Sequence, residues 1–185
     1  MPDDLSPQAR YMHEITSAVV TKIDRLPTDE SCLVVIATVE AIAGLTSKDA
    51  RSRAAADGHD ASYAHHRIAD YIKLFANAAN WAINASRCSW DHETSYMDAV
   101  FDVDEWIKEV RHTVISQLSR LPRDDRDLVM IASIEAVAKI AAMEASKHSQ
   151  DNGFSGEVTR SRINDYARIF AESSRPKKPE QWVRF

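Results

Sequence analysis

Two carboxylates in this sequence could do chemistry, because each lies inside an otherwise apolar stretch. Glu40 interrupts the run CLVVIATVEAIA, and Glu135 interrupts the run LVMIASIEAVA. A carboxylate buried among apolar side chains costs on the order of several kcal/mol unless a cation or a hydrogen-bond donor faces it. Each glutamate therefore either forms a structural ion pair or lines a polar cavity suited to acid–base or ligand chemistry.

Arginine is the cation that the sequence offers to both glutamates. Arg67 follows Glu40 by 27 positions, and Arg162 follows Glu135 by the same interval. We predict that Glu40 pairs with Arg67 and Glu135 with Arg162, so that each pair fixes the register of two helices. The tyrosine four residues beyond each arginine is expected to lie within reach of the pair.

Carboxylates in helical bundles can also bind two iron ions, which requires Glu-x-x-His motifs on two helices. One such motif runs from Glu109 to His112, whereas the corresponding segment from Glu14 to Ser17 has no histidine. We therefore predict no metal site and no cofactor. A phosphate-binding glycine loop, a nucleophile elbow and an HExxH motif are also absent from the sequence, which argues against an enzyme.

The segments that contain these residues occur twice in the chain. Residues 15–75 align without a gap on residues 110–170, at an offset of 95, and 19 of the pairs are identical. The clearest match is RLPTDESCLVVIATVEAIA with RLPRDDRDLVMIASIEAVA. Self-similarity of this length predicts an internal duplication.

Each copy has the pattern of three helices. Apolar residues recur at helical spacing in the first and third helices, and the central helix, about 29–50 and 124–148, is apolar almost all round, as expected of a helix surrounded by others. Matched prolines end the first helix, and matched glycines form the turn before the third. These residues are Pro27 and Pro122, and Gly58 and Gly153.

The predicted fold is therefore all-α, a tandem duplication of a three-helix unit packed as a pseudo-twofold six-helix bundle. We divide the chain into a first three-helix repeat, 1–86, a connector, 87–103, a second three-helix repeat, 104–174, and a C-terminal tail, 175–185. The two repeats are expected to form one compact body, because a unit of this size has a small core on its own.

Composition and charge limit the classes of function. The chain of 185 residues has a formal net charge of −5, which is the wrong sign for a general nucleic-acid binder. Its two cysteines, Cys32 and Cys88, occupy unmatched positions and form no CxxC motif, and its N-terminus lacks the basic start of a signal peptide. We expect a cytoplasmic protein that does not cross a membrane.

One alternative comes from a resemblance. The stretch from Leu118 to Ala136 resembles region 4 of the sigma factors in its leucine–proline start and in the spacing of its arginine and glutamate, and Gly156 to Ile163 resembles the DNA-reading helix of that region. The resemblance implies a helix-turn-helix-type transcriptional regulator. The residues assigned to DNA under this alternative are Thr159, Arg160, Ser161, Arg162 and Arg168.

Our leading prediction is a non-enzymatic regulatory or adaptor protein that binds a protein partner, with homo-oligomers also allowed. Exposed apolar residues next to a basic cluster make the tail the candidate partner-binding segment: Trp182, Val183 and Phe185, with Lys177 and Lys178. A third alternative is a small-molecule sensor or helical enzyme that uses a polar cavity between the repeats, near the two glutamates.

Overall fold

Six helices make up almost all of the structure. The computed structural model describes residues 6–23, 31–85, 102–120 and 126–175, and within these ranges there is no β-strand. The all-α prediction is confirmed. The helices are α1 (Pro7–Ile23), α2 (Ser31–Ala56), α3 (Ala61–Ala85), α4 (Val103–Arg120), α5 (Arg126–Asp151) and α6 (Gly156–Ser174).

The central helices α2 and α5 are buried on most of their surface, as their apolar sequences predict. Small and apolar residues occur on every side of both helices, so no single face is reserved for solvent. By length and composition α2 could also cross a membrane, and 61% of its most apolar window is buried within the protein. Here its apolar sides pack against the other helices.

The turns that end α2 and α5 have the same geometry. Gly58 and Gly153 have φ values of +71° and +66°, a left-handed conformation that glycine adopts without a steric penalty. The backbone N–H of His59 donates to the carbonyl of Ala54 at 2.8 Å. In the second turn, the N–H of Phe154 donates to the carbonyl of Ser149 at the same distance. Each turn reverses the chain so that the next helix lies against the one before.

Helices α1–α3 form the first half of the chain and α4–α6 the second half. The first helix of each half packs on the central helix of the other half. Helix α1 makes most of its contacts with α5 and few with α2, whereas α4 makes most of its contacts with α2 and few with α5. The indole Nε1 of Trp106 on α4 donates to the hydroxyl of Thr38 on α2 at 2.8 Å. The guanidinium of Arg111 on α4 also reaches α2 at Gly44, where a Cβ would lie 2.8 Å from its Nη2. The two halves therefore interlock.

One hydrophobic core extends through all six helices. At its centre the rings of Phe75 on α3 and Phe170 on α6 stack with centroids 4.7 Å apart and an interplanar angle of 18°. Both side chains are completely buried. These two residues are also 95 positions apart, so the ring at one position contacts the ring at its own matched position.

We predict that Phe75→Ala and Phe170→Ala each lower the free energy of unfolding by about 3–5 kcal/mol, because each removes a fully buried ring and leaves a cavity. Urea denaturation followed by circular dichroism measures the change. Trp81→Ala is the control, since its side chain is 71% exposed and the loss should stay within about 0.5 kcal/mol. A large loss at only one of the two phenylalanines would contradict a shared central stack.

Candidate functional site

A buried carboxylate, an arginine and a tyrosine form a compact cluster between α5 and α6. Arg162 donates from Nε and Nη2 to the two carboxylate oxygens of Glu144, at 2.8 and 2.7 Å, and the hydroxyl of Tyr166 donates to Glu144 Oε2 at 2.5 Å. The side chain of Glu144 is only 5% exposed. Three donors thus satisfy this carboxylate, which offsets the cost of burying its charge. We call these residues the second triad.

The matched residues between α2 and α3 form a first triad, which consists of Asp49, Arg67 and Tyr71. Arg67 Nε donates to the Tyr71 hydroxyl at 3.0 Å, and that hydroxyl donates to Asp49 Oδ2 at 3.1 Å. Arg67 Nη2 also donates to Asp127 at the start of α5, and Arg53 Nη2 lies 2.9 Å from the same carboxylate. Asp127 therefore connects the first triad to α5, which belongs to the other half of the chain.

The carboxylates that meet these arginines differ from the predicted ones. We expected Glu40 to pair with Arg67 and Glu135 with Arg162. Glu135 instead accepts a hydrogen bond from Nε2 of Gln8 on α1 at 2.7 Å, and Glu40 is half-buried on α2. The partner of Arg162 is corrected to Glu144, and Arg67 meets Asp127 on α5 and, at 3.8 Å from its Nε, Asp49 on α2.

The correction follows from the geometry of a helical hairpin. In two antiparallel helices joined by a turn, residues equally distant from the turn lie side by side, because both helices rise by the same amount per residue. Glu144 and Arg162 each lie nine residues from Gly153, and Asp49 and Arg67 each lie nine residues from Gly58. Glu135 lies twice as far from the turn, and nine residues at about 100° each put it on the opposite face of α5 from Glu144.

The electrostatics of the triads favour a structural role. Burial raises the pKa of Tyr166, and the nearby charge of Glu144 raises it further. Burial and then Asp49 likewise raise the pKa of Tyr71. The pKa of Arg162 is raised first by its hydrogen bond to Glu144. These three groups hold their protons at neutral pH, so the triads offer no tyrosine or arginine poised for proton transfer.

A groove of about 460 Å³ lies at the turn between α5 and α6. We call it the hairpin groove. Ile83, near the end of α3, and Phe154, which is 49% exposed, supply its largest apolar side chains. Arg160 is exposed on its polar side, and no carboxylate of the described residues lies within ion-pair distance of it. The remaining lining residues are Ser146, Ser149, Gln150, Gly156, Glu157 and Thr159.

The five residues of the DNA-binding alternative do not share one exposed face. Thr159 is buried, and its hydroxyl donates to Ser149 Oγ at 2.8 Å. Arg162 is held in the second triad. Arg160, Ser161 and Arg168 are exposed, and Arg168 forms ion pairs with two carboxylates of its own helix, at 3.2 and 3.6 Å. Of the five residues, one is therefore buried and two are held by carboxylates of the protein itself.

The predicted partner-binding segment lies outside the described residues, so the structure gives no account of Trp182, Val183, Phe185, Lys177 and Lys178. Within the described ranges, no group of three or more histidine, cysteine, aspartate or glutamate side chains is arranged to hold a metal ion.

Comparisons with known proteins assign no family. No protein-family model matches the chain, and neither the curated proteins nor the solved structures contain a significant match.

Sequence reasoning missed the acidic members of the triads and the hairpin groove. Counting outward from Gly153 would have found Glu144, because the turn glycine and the arginine were both recognised. The groove had no comparable signal, since it depends on Ile83 from α3 reaching the turn of a hairpin in the other half.

Substituting glutamine for each of two glutamates on α5 distinguishes the second triad from the predicted pairing of Glu135 with Arg162. Glu144→Gln leaves Arg162 without its buried counter-charge and should cost about 3 kcal/mol of unfolding free energy. Glu135→Gln keeps an acceptor for Gln8 and should cost under about 1 kcal/mol. Chemical denaturation of both variants measures the difference. Equal losses, or a larger loss for Glu135→Gln, would be incompatible with the observed contacts.

The raised tyrosine pKa values predict a loss of stability at high pH. An unfolded tyrosine releases its proton near pH 10, whereas Tyr71 and Tyr166 retain theirs to higher pH in the folded protein. Their contribution is thus complete below about pH 10 and falls above it, by about 1.4 kcal/mol per pH unit for each tyrosine. Denaturation between pH 8 and 11 should show this fall, and Tyr166→Phe should reduce its slope. An unchanged slope would exclude the second triad as its source.

Proposed function

We propose that the chain is a non-enzymatic binding protein, of the regulatory or adaptor type, and that the hairpin groove is its contact surface for a protein partner. The observation that carries the proposal is the groove itself, which is lined by the half-exposed Phe154, by Ile83 and by the exposed Arg160. A concave surface that combines apolar side chains with polar and charged groups is typical of a recognition site.

We also propose that the protein is a tandem repeat of a three-helix unit arranged about a pseudo-twofold axis. The stack of Phe75 on Phe170 supports this arrangement, because a residue meets its own matched residue only at such an axis. Asp127 reaches the first triad from α5, and its matched residue, Cys32 on α2, lies close enough to Tyr166 to affect the pKa of that tyrosine. The exchange of first helices between the halves has the same symmetry.

The difference between the halves favours the hairpin groove as the functional surface. Under the offset of 95, Phe154 is matched by His59 and Arg160 by His65, so the first hairpin lacks both the large apolar side chain and the permanent charge. The triads and the turn glycines are retained in both halves. Changes at exposed positions leave the fold intact as long as the structural residues are kept. One surface can therefore become specific for a partner while both halves keep the same fold.

The lining residues define the chemistry of the partner. The walls formed by Ile83 and Phe154 suit an apolar side chain, and Arg160 suits a carboxylate beside it. A volume of about 460 Å³ accommodates a short peptide segment rather than a folded domain. We therefore propose that the partner presents an apolar residue with a neighbouring acidic residue.

The other candidate functions have weaker support. A DNA-binding regulator would need Thr159 and Arg162 free for nucleic acid, but Thr159 is buried and Arg162 is held by Glu144. A sensor or enzyme with a cavity between the repeats would use Glu135, which is occupied by Gln8. We keep the cytoplasm as the proposed location, because the predicted role needs no membrane.

Capture of partners from native cells with the full-length chain tests this function. We expect Phe154→Ala and Arg160→Glu each to weaken binding of a captured partner at least tenfold, because they remove an apolar wall and invert the charge of the groove. His59→Ala is the matched control at the other hairpin and should bind as the unmodified chain does. Equal binding by all variants would exclude the hairpin groove as the contact surface.

A further inference from the structure

Neither half of the chain encloses its own central helix. Most contacts of α4 are with α2 in the first half, and most contacts of α1 are with α5 in the second half. The side chains that anchor α4 are almost fully buried there, with Trp106 only 6% and Val110 only 7% exposed. The third helix of each half also packs more on the central helix of the other half than on its own. Helix α3 packs more on α5 than on α2, and α6 packs more on α2 than on α5.

These contacts make each half an incomplete body with a surface complementary to the other half. Separating the halves would expose the side of α2 that α4 and α6 cover, and the side of α5 that α1 and α3 cover. Both central helices are rich in fully buried apolar residues, among them Val39 on α2 and Ile134 on α5. Exposing so much apolar surface is unfavourable, so each half requires a complementary half.

A second copy of the chain presents the required surface. We propose that two chains can exchange halves, so that the first half of one chain packs on the second half of the other and all contacts between halves are kept. The partner in this interaction is an identical chain, and the surfaces are the faces of α2 and α5 described above. The proposal depends on the helix contacts and is independent of the hairpin groove.

The length of the connecting segment decides which arrangement forms. Sixteen residues separate Ala85 from Asp102, enough for about 60 Å when extended. Helices α3 and α4 both pack on α2, and no contact joins them in the described part of the chain. Two helices on different sides of a third lie about 16–20 Å apart. The natural segment is long enough to span such a distance within one chain, and the high effective concentration of the two linked halves favours the monomer.

Shortening the segment should force the exchange. Deletion of residues 87–100 leaves two connecting residues, which reach about 11 Å and cannot join α3 to α4 within one body. We expect a folded protein at twice the chain mass by light scattering, and a dimer that persists for hours on dilution because separating it requires unfolding. Replacing residues 87–100 with fourteen glycines and serines is the control, and this chain should be monomeric. A folded monomer from the deletion variant would overturn the proposal.

The unmodified chain decides the question if the deletion variant aggregates. Refolding from guanidinium at micromolar and at near-millimolar concentration should give a dimer fraction that rises with concentration and survives later dilution. A chain that refolds only to monomer at every concentration would overturn the exchange. A dimer that dissociates within seconds on dilution would also overturn it, because contact between intact surfaces separates without unfolding.

Discussion

The rest of the structure depends on one constraint, which is that the central helices α2 and α5 are apolar on nearly every side. A helix with no polar face must be surrounded, and a three-helix unit has too few helices to surround it. The chain satisfies this requirement by crossing its halves, so that α1 covers α5 and α4 covers α2. The single core and the stacked pair Phe75–Phe170 follow from that crossing.

The central helices can be buried although each contains an acidic residue of a triad, because that residue is paired with groups on the helix that follows the hairpin turn. Glu144 and Asp49 each lie nine residues before a turn glycine, where the next helix brings an arginine and a tyrosine to meet them. The triads fix the register of each hairpin, and their two tyrosines, whose pKa values are raised, hold their protons at neutral pH. On the exposed surface the halves differ at the hairpin groove, where His59 and His65 of the first half correspond to Phe154 and Arg160 of the second.

Local features of the fold could be predicted from the sequence, and contacts between distant segments could not. Helical periodicity indicated six helices, and Gly58 and Gly153 were correctly expected in turns, because these signals depend on neighbouring residues. The partner of Arg162 was misassigned because Glu135 was the more conspicuous acid in an apolar run. The hairpin groove was missed because Ile83 reaches it only after the halves have crossed, and no local pattern encodes that packing.

Hydrogen exchange measured by mass spectrometry tests most directly whether the halves form one interlocked unit. If they do, the slowest amides of α2 and α5 should exchange through the same global opening, with equal free energies. Phe170→Ala, which alters only the second half, should then lower the protection of both helices by the same amount. Loss of protection in α5 with α2 unchanged would show that the halves open independently and would contradict the interlocked account.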